Sequence, residues 1–368
     1  LPLRNFLPPK GTRIAVGISG GVDSSVSAYL LKTAGYDVHG VFMKNWEETF
    51  SPGYCSAEDD IFDARDVCDS ISIPLHSVNF VKAYQERVFS HFLSEYQAGR
   101  TPNPDVICNR EIKFSELLRY AEKLSCDYVA TGHYGRRINI NGQAALMKAQ
   151  DSNKDQTYFL NAIGQAQLQK ALFPLGDLQK PAVRDIARTA GLVTYDKKDS
   201  TGICFIGERN FKKFLSHYLP AQPGDINTPD GDVIGRHDGL MYYTIGQRQG
   251  LGIGGLRNYN DKPWFVAAKD LNSNSLIVVQ GNHHPALFKR SLVAGQLNWL
   301  REPPQDGSQI HAKTRYRQNE QACTINTLED NRLHVTFETP QRALTVGQYA
   351  VFYDRNECLG GGVIEETE

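Results

Sequence analysis

Seven residues near the N-terminus, Ser19-Gly20-Gly21-Val22-Asp23-Ser24-Ser25, constrain this chain more than any other stretch. They join a short apolar run, Arg13–Ser19, to the amphipathic segment DSSVSAYLLKTA, which places Val26, Tyr29, Leu30 and Thr33 on one face and stops at Gly35. Two adjacent glycines let backbone approach an anion closely. The first amides of the following helix then point at it with the positive end of the helix dipole. Ser19, Ser24 and Ser25 offer hydroxyl donors, and Asp23 a carboxylate for a Mg²⁺ bridging phosphate oxygens. An ordinary tight turn with a serine cap has the same outline. The whole heptad in its strand-to-helix setting favours a phosphate site, and the missing GxxxxGK[ST] excludes a Walker A loop.

The same alternation continues downstream. Tyr36–Met43 reads as a strand, Glu58–Ser70 as a helix, Pro74–Phe80 as a strand and Val81–Gln97 as a long helix stopped at Gly99. After the loop TPNPDVICN a helix runs from about Glu111 to Leu124, followed by the strand DYVATGH. Strands alternating with helices predict an α/β, Rossmann-like domain with a parallel sheet covered on both faces. Ligands of such sheets sit off the carboxyl ends of the strands.

Beyond Asp151 helices are expected at Gln156–Ile163, Gln165–Ala171 and Pro181–Ala190. The stretch Pro220–Gly255 reads as short strands and loops, and alternating segments from about Leu292 onward as a small antiparallel barrel or sandwich. The expected division is a phosphate-loop domain with a helical extension (11–212), a small central α+β domain (213–285) and a C-terminal antiparallel β-barrel (286–368). A chain of 368 residues exceeds what one hydrophobic core usually organises.

Bulk numbers add exclusions. Lys plus Arg number 40 against 41 Asp plus Glu, so a nucleic-acid partner has to be argued from local patches. Seven cysteines include no CxxC pair and none with a histidine at zinc-finger spacing, against both a disulfide scaffold and structural zinc. No apolar run approaches bilayer length, and Leu1–Lys10 lacks a signal-peptide core. The expectation is a cytoplasmic protein with no membrane partner.

The loop resembles the PP-loop of ATP pyrophosphatases, which bind the pyrophosphate of ATP and transfer AMP to a carbonyl oxygen. GMP, NAD, argininosuccinate and tRNA lysidine synthetases share it with tRNA thiolases. Further segments choose among them: GVFMKNW (40–46), GRTPNPDVICN (99–109), ATGHY (130–134), DSNKDQTYFL (151–160), DSTGICFIGER (199–209) and GLGIGG (250–255). Together they resemble the bacterial tRNA-specific 2-thiouridylase family, from about Arg13 to Gly362. That resemblance implies ATP with Mg²⁺, tRNA acceptors for lysine, glutamate and glutamine, and a sulfur donor such as a cysteine desulfurase or a sulfur-relay protein.

It also implies site residues. Gly17, Ile18, Ser19, Gly20, Gly21, Val22, Asp23, Ser24 and Met43 would line the ATP site, with Gly132 near the adenosine. Cys204 would carry a persulfide and Cys108 resolve it, through a transient disulfide between them. Asn103, Pro104 and Asp105 would contact the flipped target base. His133, Lys154, Asp155, Gln156, Arg315, Tyr316 and Gln348 would meet tRNA. Read from the residues alone, each cysteine is as well explained as a buried small hydrophobe, the better reading for Cys55, Cys68, Cys126, Cys323 and Cys358.

Cys108 is expected in a proline-rich loop before a helix, where nearby amides favour a thiolate. Lys313, Arg315 and Arg317 alternate along a presumed strand, so all three are expected on one face, suited to an RNA backbone or simply solvated. Arg136, Arg137, Lys197, Lys198, Lys212 and Lys213 extend the candidate patch. Two other functions use the same features: an ATP-dependent ligase on another carbonyl, with no need of the cysteines, and a non-catalytic RNA-binding protein.

Overall fold

The computed structural model describes residues 5–47, 56–199, 211–254 and 259–368. Strands β1 (Arg13–Gly17), β2 (Asp37–Lys44), β3 (Leu75–Asn79) and β4 (Tyr128–Ala130) alternate with helices. A hairpin of β5 (Arg136–Ile140) and β6 (Gln143–Met147) then leaves the sheet, and β7 (Ala171–Leu172) returns to it. Across the sheet the order is β3-β2-β1-β4-β7, every pair parallel. Ile14, Ala15 and Val16 are fully buried, as a central strand covered on both faces requires.

The chain winds outward from β1 through β2 to β3 and starts again at β4 on the other side of β1. The crevice at the carboxyl ends of β1 and β4 is therefore the switch point where such sheets bind ligands. Helix α1 (Val22–Thr33) roofs this edge and packs Val22 and Val26 with Val183 and Ala187 of the helix Lys180–Thr189.

Two local expectations change, and a hairpin is added. The stretch TPNPDVICN is not a loop: Asn103 caps and Pro104 opens a helix whose segments Pro104–Cys108, Asn109–Glu116 and Leu117–Lys123 run on without a break. Its middle segment is π-helical, a geometry frequent at functional sites. The helix expected over Gln165–Ala171 ends at Gln169, because Ala171 and Leu172 are fully buried beside β4 as β7. The β5–β6 hairpin has its signal in the Asn141-Gly142 dipeptide. Asn141 (φ 52°) and Gly142 (φ 81°) form the positive-φ pair of a tight hairpin turn.

The next strands, β8 (Gly224–Asn227), β9 (Val233–His237), β10 (Trp264–Asp270) and β11 (Ser275–Gln280), form a four-stranded sheet in the order β10-β11-β8-β9. The last six are β12 (Phe288–Trp299), β13 (Gln309–Lys313), β14 (Gln321–Thr327), β15 (Leu333–Arg342), β16 (Tyr349–Asp354) and β17 (Glu357–Thr367). Strand β12 pairs with both β15 and β17, closing an antiparallel six-stranded barrel rather than a sandwich. Leu292, Ile325, Val335, Phe337, Phe352 and Ile364 fill it.

The barrel is not a separate bead. Strand β6 of the N-terminal hairpin pairs with β17, so one sheet runs from the barrel into the parallel-sheet half. No helix among the described residues is long and apolar enough to cross a membrane.

Candidate active site

The phosphate loop follows β1 directly. Gly20 adopts φ +73°, and a Cβ there would stand 2.6 Å from the Asp60 carbonyl oxygen, so this position requires glycine. Gly21 differs: at φ −99° it is the N-cap of α1, and an added Cβ would meet only Ser19 Oγ, at 3.4 Å. No side chain caps α1. Its first amides are thus available to an anion at the positive end of the dipole.

The three serines are not equivalent, which corrects the expectation of three hydroxyl donors. Ser24 and Ser25 are buried and donate to the Gly21 carbonyl at 3.0 and 2.9 Å, tightening the turn from within. Ser19 is exposed, with its Oγ 3.1 Å from Ser24 Oγ, and is the hydroxyl left facing the crevice.

Residues distant in sequence complete the wall. A Cβ on Gly132 would come 2.7 Å from the Ser24 amide nitrogen, so the turn after β4 lies directly against the start of α1. Gly17 faces Met43 and Leu117 at 3.5 and 3.3 Å from its would-be Cβ, while Ile18 is buried in a separate cluster with Val16, Phe42 and Cys68. Gly132 thus lies against the start of α1, and Gly17 at the end of β1 lies against Met43.

Asp23 has company that no local pattern announces. Both its oxygens accept from Lys180 Nζ, at 2.7 and 2.8 Å, and Tyr134 OH donates to Oδ1 at 2.9 Å. Lys180 also lies 2.8 Å from Asp199, which is paired with Lys154 at 2.6 Å and Arg184 at 2.9 Å. Burial works against the Asp199 carboxylate, but the hydrogen bonds from Lys154 and Lys180 prevail and lower its pKa to about 2. Among the described residues no three His, Cys, Asp or Glu side chains converge on a metal position. A Mg²⁺ at Asp23 would thus complete its shell with phosphate oxygens and water, and would compete with Lys180.

The second wall is the helix 104–123. Asn103 Oδ1 accepts from the Val106 amide at 3.4 Å and Pro104 takes the first turn. Burial raises the Asp105 pKa above the usual carboxylate range, and Lys113 offsets this only in part. Burial and the same Lys113 hold His133 well below the usual imidazole range, so the ring is neutral at pH 7, 2.8 Å from Thr131 Oγ1 and tilted against Phe114. Asp105 and His133 thus share a neighbour beside the phosphate loop.

Cys108 lies one turn beyond Asp105 on this helix, 3% exposed, rather than in an open loop. Leu117, which touches the Gly17 position, is nine residues further, roughly 13 Å along the axis. Cys204 and Cys55 fall outside the described residues. Cys68, Cys126, Cys323 and Cys358 are buried, and burial pushes the first three thiols up to about 12, 11 and 12.

Several residues implied to meet tRNA also make contacts within the protein. Asp155 is 7% exposed and accepts from the Ala149 amide and the Thr157 hydroxyl, while Gln156 accepts from the Tyr134 amide. Lys154 is held by Asp199. Gln348 donates to the Thr101 and Pro102 carbonyls at 2.8 and 3.1 Å, fastening the barrel to the entrance of the helix 104–123. Tyr316 packs on Phe159 with ring centroids 4.4 Å apart.

The three-cation row is not formed either. Strand β13 stops at Lys313, which faces Glu320, and the chain turns. Arg315 points inward and donates to the Ile245 and Ala343 carbonyls and Thr345 Oγ1, leaving Arg317 exposed. Of the wider patch, Arg137 is buried over the Phe6 ring, Lys197 is paired with Asp60 and Asp63, and Lys212 with Asp238.

Comparison with known proteins places this architecture. Residues 12–208 match a family model described as the tRNA methyl transferase HUP domain, 212–280 the tRNA methyl transferase PRC-barrel domain, and 289–364 the aminomethyltransferase beta-barrel domain. The chain is 64% identical over 361 residues to the tRNA-specific 2-thiouridylase MnmA of Dichelobacter nodosus, covering 98% of this chain and 96% of that one. It is 57% identical to the MnmA of Psychromonas ingrahamii, covering 96% and 97%. Among solved structures, a 4-thiouridine synthetase–RNA complex with bound ATP is similar at 19% identity over 57% of this chain and 51% of that one. The TM-score of that match is 0.36. A match this close over nearly the whole length means that the chain belongs to the tRNA-specific 2-thiouridylase family.

Proposed function

We propose that this chain converts a tRNA uridine to 2-thiouridine, using ATP to activate the C2 oxygen and a cysteine-borne sulfur to replace it. The observation that carries the reading is the crevice itself. An uncapped helix N-terminus at the switch point shares its walls with the helix that bears Asp105 and Cys108. The near-full-length relatives bear the name of this activity.

The urea-like C2 carbonyl of uracil is a poor electrophile with a poor leaving group. The α1 amides, Gly20–Gly21 and Ser19 hold the pyrophosphate of ATP while the uracil O2 attacks the α-phosphorus and pyrophosphate departs. Loss of the N3 proton makes O2 nucleophilic. Asp105, made more basic by burial, is suited to take that proton from a flipped base bounded by Asn103 and Pro104. A Mg²⁺ at Asp23 would neutralise phosphate charge.

The terminal sulfur of a Cys204 persulfide then adds to C2 and AMP leaves with the former oxygen. Attack by the Cys108 thiolate on the Cys204 sulfur breaks the S–S bond to the transferred atom. The product is 2-thiouridine with a Cys108–Cys204 disulfide, which an external thiol reduces. A cysteine desulfurase or a relay protein would reload Cys204, and the substrates are the lysine, glutamate and glutamine tRNAs.

The test is incubation with unmodified tRNA transcript, Mg-ATP and a sulfur source, followed by digestion and mass spectrometry. Expected products are 2-thiouridine and AMP. Cys204→Ser should still adenylate tRNA but form no thiouridine. Cys108→Ser should take sulfur onto Cys204 and fail to turn over. Full thiolation by the double serine variant would remove cysteine chemistry and point to the ligase alternative.

A further inference from the structure

Lys180 has no part in the chemistry described so far, yet it is the best-held cation at the phosphate site. Its side chain is 10% exposed and its ammonium makes three short contacts: Asp23 Oδ1 and Oδ2 at 2.7 and 2.8 Å, and Asp199 Oδ1 at 2.8 Å. An ammonium has three N–H donors, and all three are used. Its backbone is fixed too. Lys180 opens the helix Lys180–Thr189, its amide donates to Asp151 Oδ2 at 2.9 Å, and Pro181 follows. The base of the side chain is thus rigid and the tip is shared between two carboxylates of different context.

Those contexts decide what happens when a polyphosphate arrives. Asp23 is the second residue of α1, in the turn whose amides face the phosphates. Asp199 is not part of that turn and is paired with Lys154 and Arg184 besides Lys180. Around Lys180 the formal charges of Asp23, Asp151 and Asp199 balance those of Lys154, Lys180 and Arg184. The cluster is therefore neutral, and adding a pyrophosphate leaves it strongly negative. Two responses restore balance: a metal takes the Asp23 carboxylate, and the ammonium so released turns to the phosphate. A lysine with a single carboxylate partner would be set adrift by the metal. Lys180 keeps its second anchor.

On the reading that the Ser19–Ser24 loop holds the pyrophosphate of ATP, we infer that Lys180 is a phosphate-binding residue in exchange with the metal. It neutralises Asp23 while no metal is there, and passes to the pyrophosphate, still tethered by Asp199, when Mg²⁺ arrives with the nucleotide. Lys180 then also limits the repulsion between Asp23 and a metal-free nucleotide, which makes the site tolerant of low Mg²⁺.

Equilibrium ATP binding to the 368-residue chain, by calorimetry in EDTA and in excess Mg²⁺ without tRNA, tests this apart from turnover. For Lys180→Met the affinity in EDTA should fall at least about tenfold, because Asp23 faces the phosphates uncompensated. In excess Mg²⁺ most of that loss should be recovered, so the ratio of the two dissociation constants rises well above wild type. Lys180→Arg should stay near the wild-type ratio. Asp23→Asn, which leaves the cluster's packing in place, should bind ATP in EDTA at least as tightly as wild type and lose the Mg²⁺ enhancement.

An equal loss in both conditions for Lys180→Met marks a structural brace and overturns the inference. So does an undiminished Mg²⁺ enhancement in Asp23→Asn, which decides the matter should Lys180→Met fail to fold. Wild-type protein that binds no ATP in Mg²⁺ would instead overturn the nucleotide reading on which the inference rests.

Discussion

Gly20 and Gly21 look interchangeable as letters and are not so as residues. Gly20 combines φ +73° with a neighbour 2.6 Å from its would-be Cβ, whereas Gly21 has ordinary φ and open space toward the crevice. Gly20→Ala should therefore lower stability by about 1–3 kcal/mol through backbone strain and a clash with the Asp60 backbone. Gly21→Ala should change stability by no more than about 0.5 kcal/mol while weakening ATP binding, since its methyl group enters the space an anion needs. Denaturant unfolding beside ATP titration separates the two. Comparable stability losses in both variants would mean that the two glycines serve the fold alike. The doublet was legible in the sequence, but which glycine serves the turn and which the ligand rests on where Asp60 lies.

At the scale of elements, the helix 104–123 matters most, because the proposed reaction draws both Asp105 and Cys108 from it. Its start is hidden in the sequence because two prolines, Pro102 and Pro104, read as loop. Proline is in fact compatible with a first helical turn, and Asn103 supplies the cap that the pattern calls for. Asn103 thus has two candidate roles, cap and base contact, which substitution can divide. Asn103→Ala should cost about 1 kcal/mol of stability and lower thiolation, while Asn103→Asp keeps the cap. If capping is its whole contribution, the Asp variant restores both stability and thiolation. If the amide also meets the base, the Asp variant restores stability alone.

At the scale of the whole molecule, backbone-directed side chains and a shared sheet tie the barrel to the rest of the chain, beside the Lys148–Glu320 ion pair. Gln348 holds residues 101–102, Arg315 holds Ile245 to the turn after β15, and β17 pairs with β6. Arg315→Ala should leave the Ile245 carbonyl without its side-chain donor and the Ala343 carbonyl with Thr345 Oγ1 alone, lowering the unfolding midpoint by the equivalent of about 2 kcal/mol. Cleavage in limited proteolysis should increase near Ile245. Because Arg315 points inward, its removal should not flatten the salt dependence of tRNA binding. Arg317→Glu, at the exposed position, should reduce the salt slope by about one charge with little effect on stability. The opposite pattern, with the slope lost at Arg315 and stability lost at Arg317, would restore the one-face row expected from alternation.

What the sequence determined by itself is whatever a few consecutive residues carry complete. The strand–glycine–helix unit holds its own anion-binding chemistry, the apolar periods set the alternating α/β half and the all-β end, and the buried thiols follow from composition. What only tertiary structure decided is which distant groups meet. Lys180 and Asp23 lie 157 residues apart, and Gln348 and Thr101 lie 247 apart, with no local pattern joining either pair. The physical reason is that a polar side chain reads the same in sequence whether it faces solvent, a ligand or a carbonyl of another element. Packing settles the difference, because an interior that excludes water leaves each buried donor and acceptor to find its partner there.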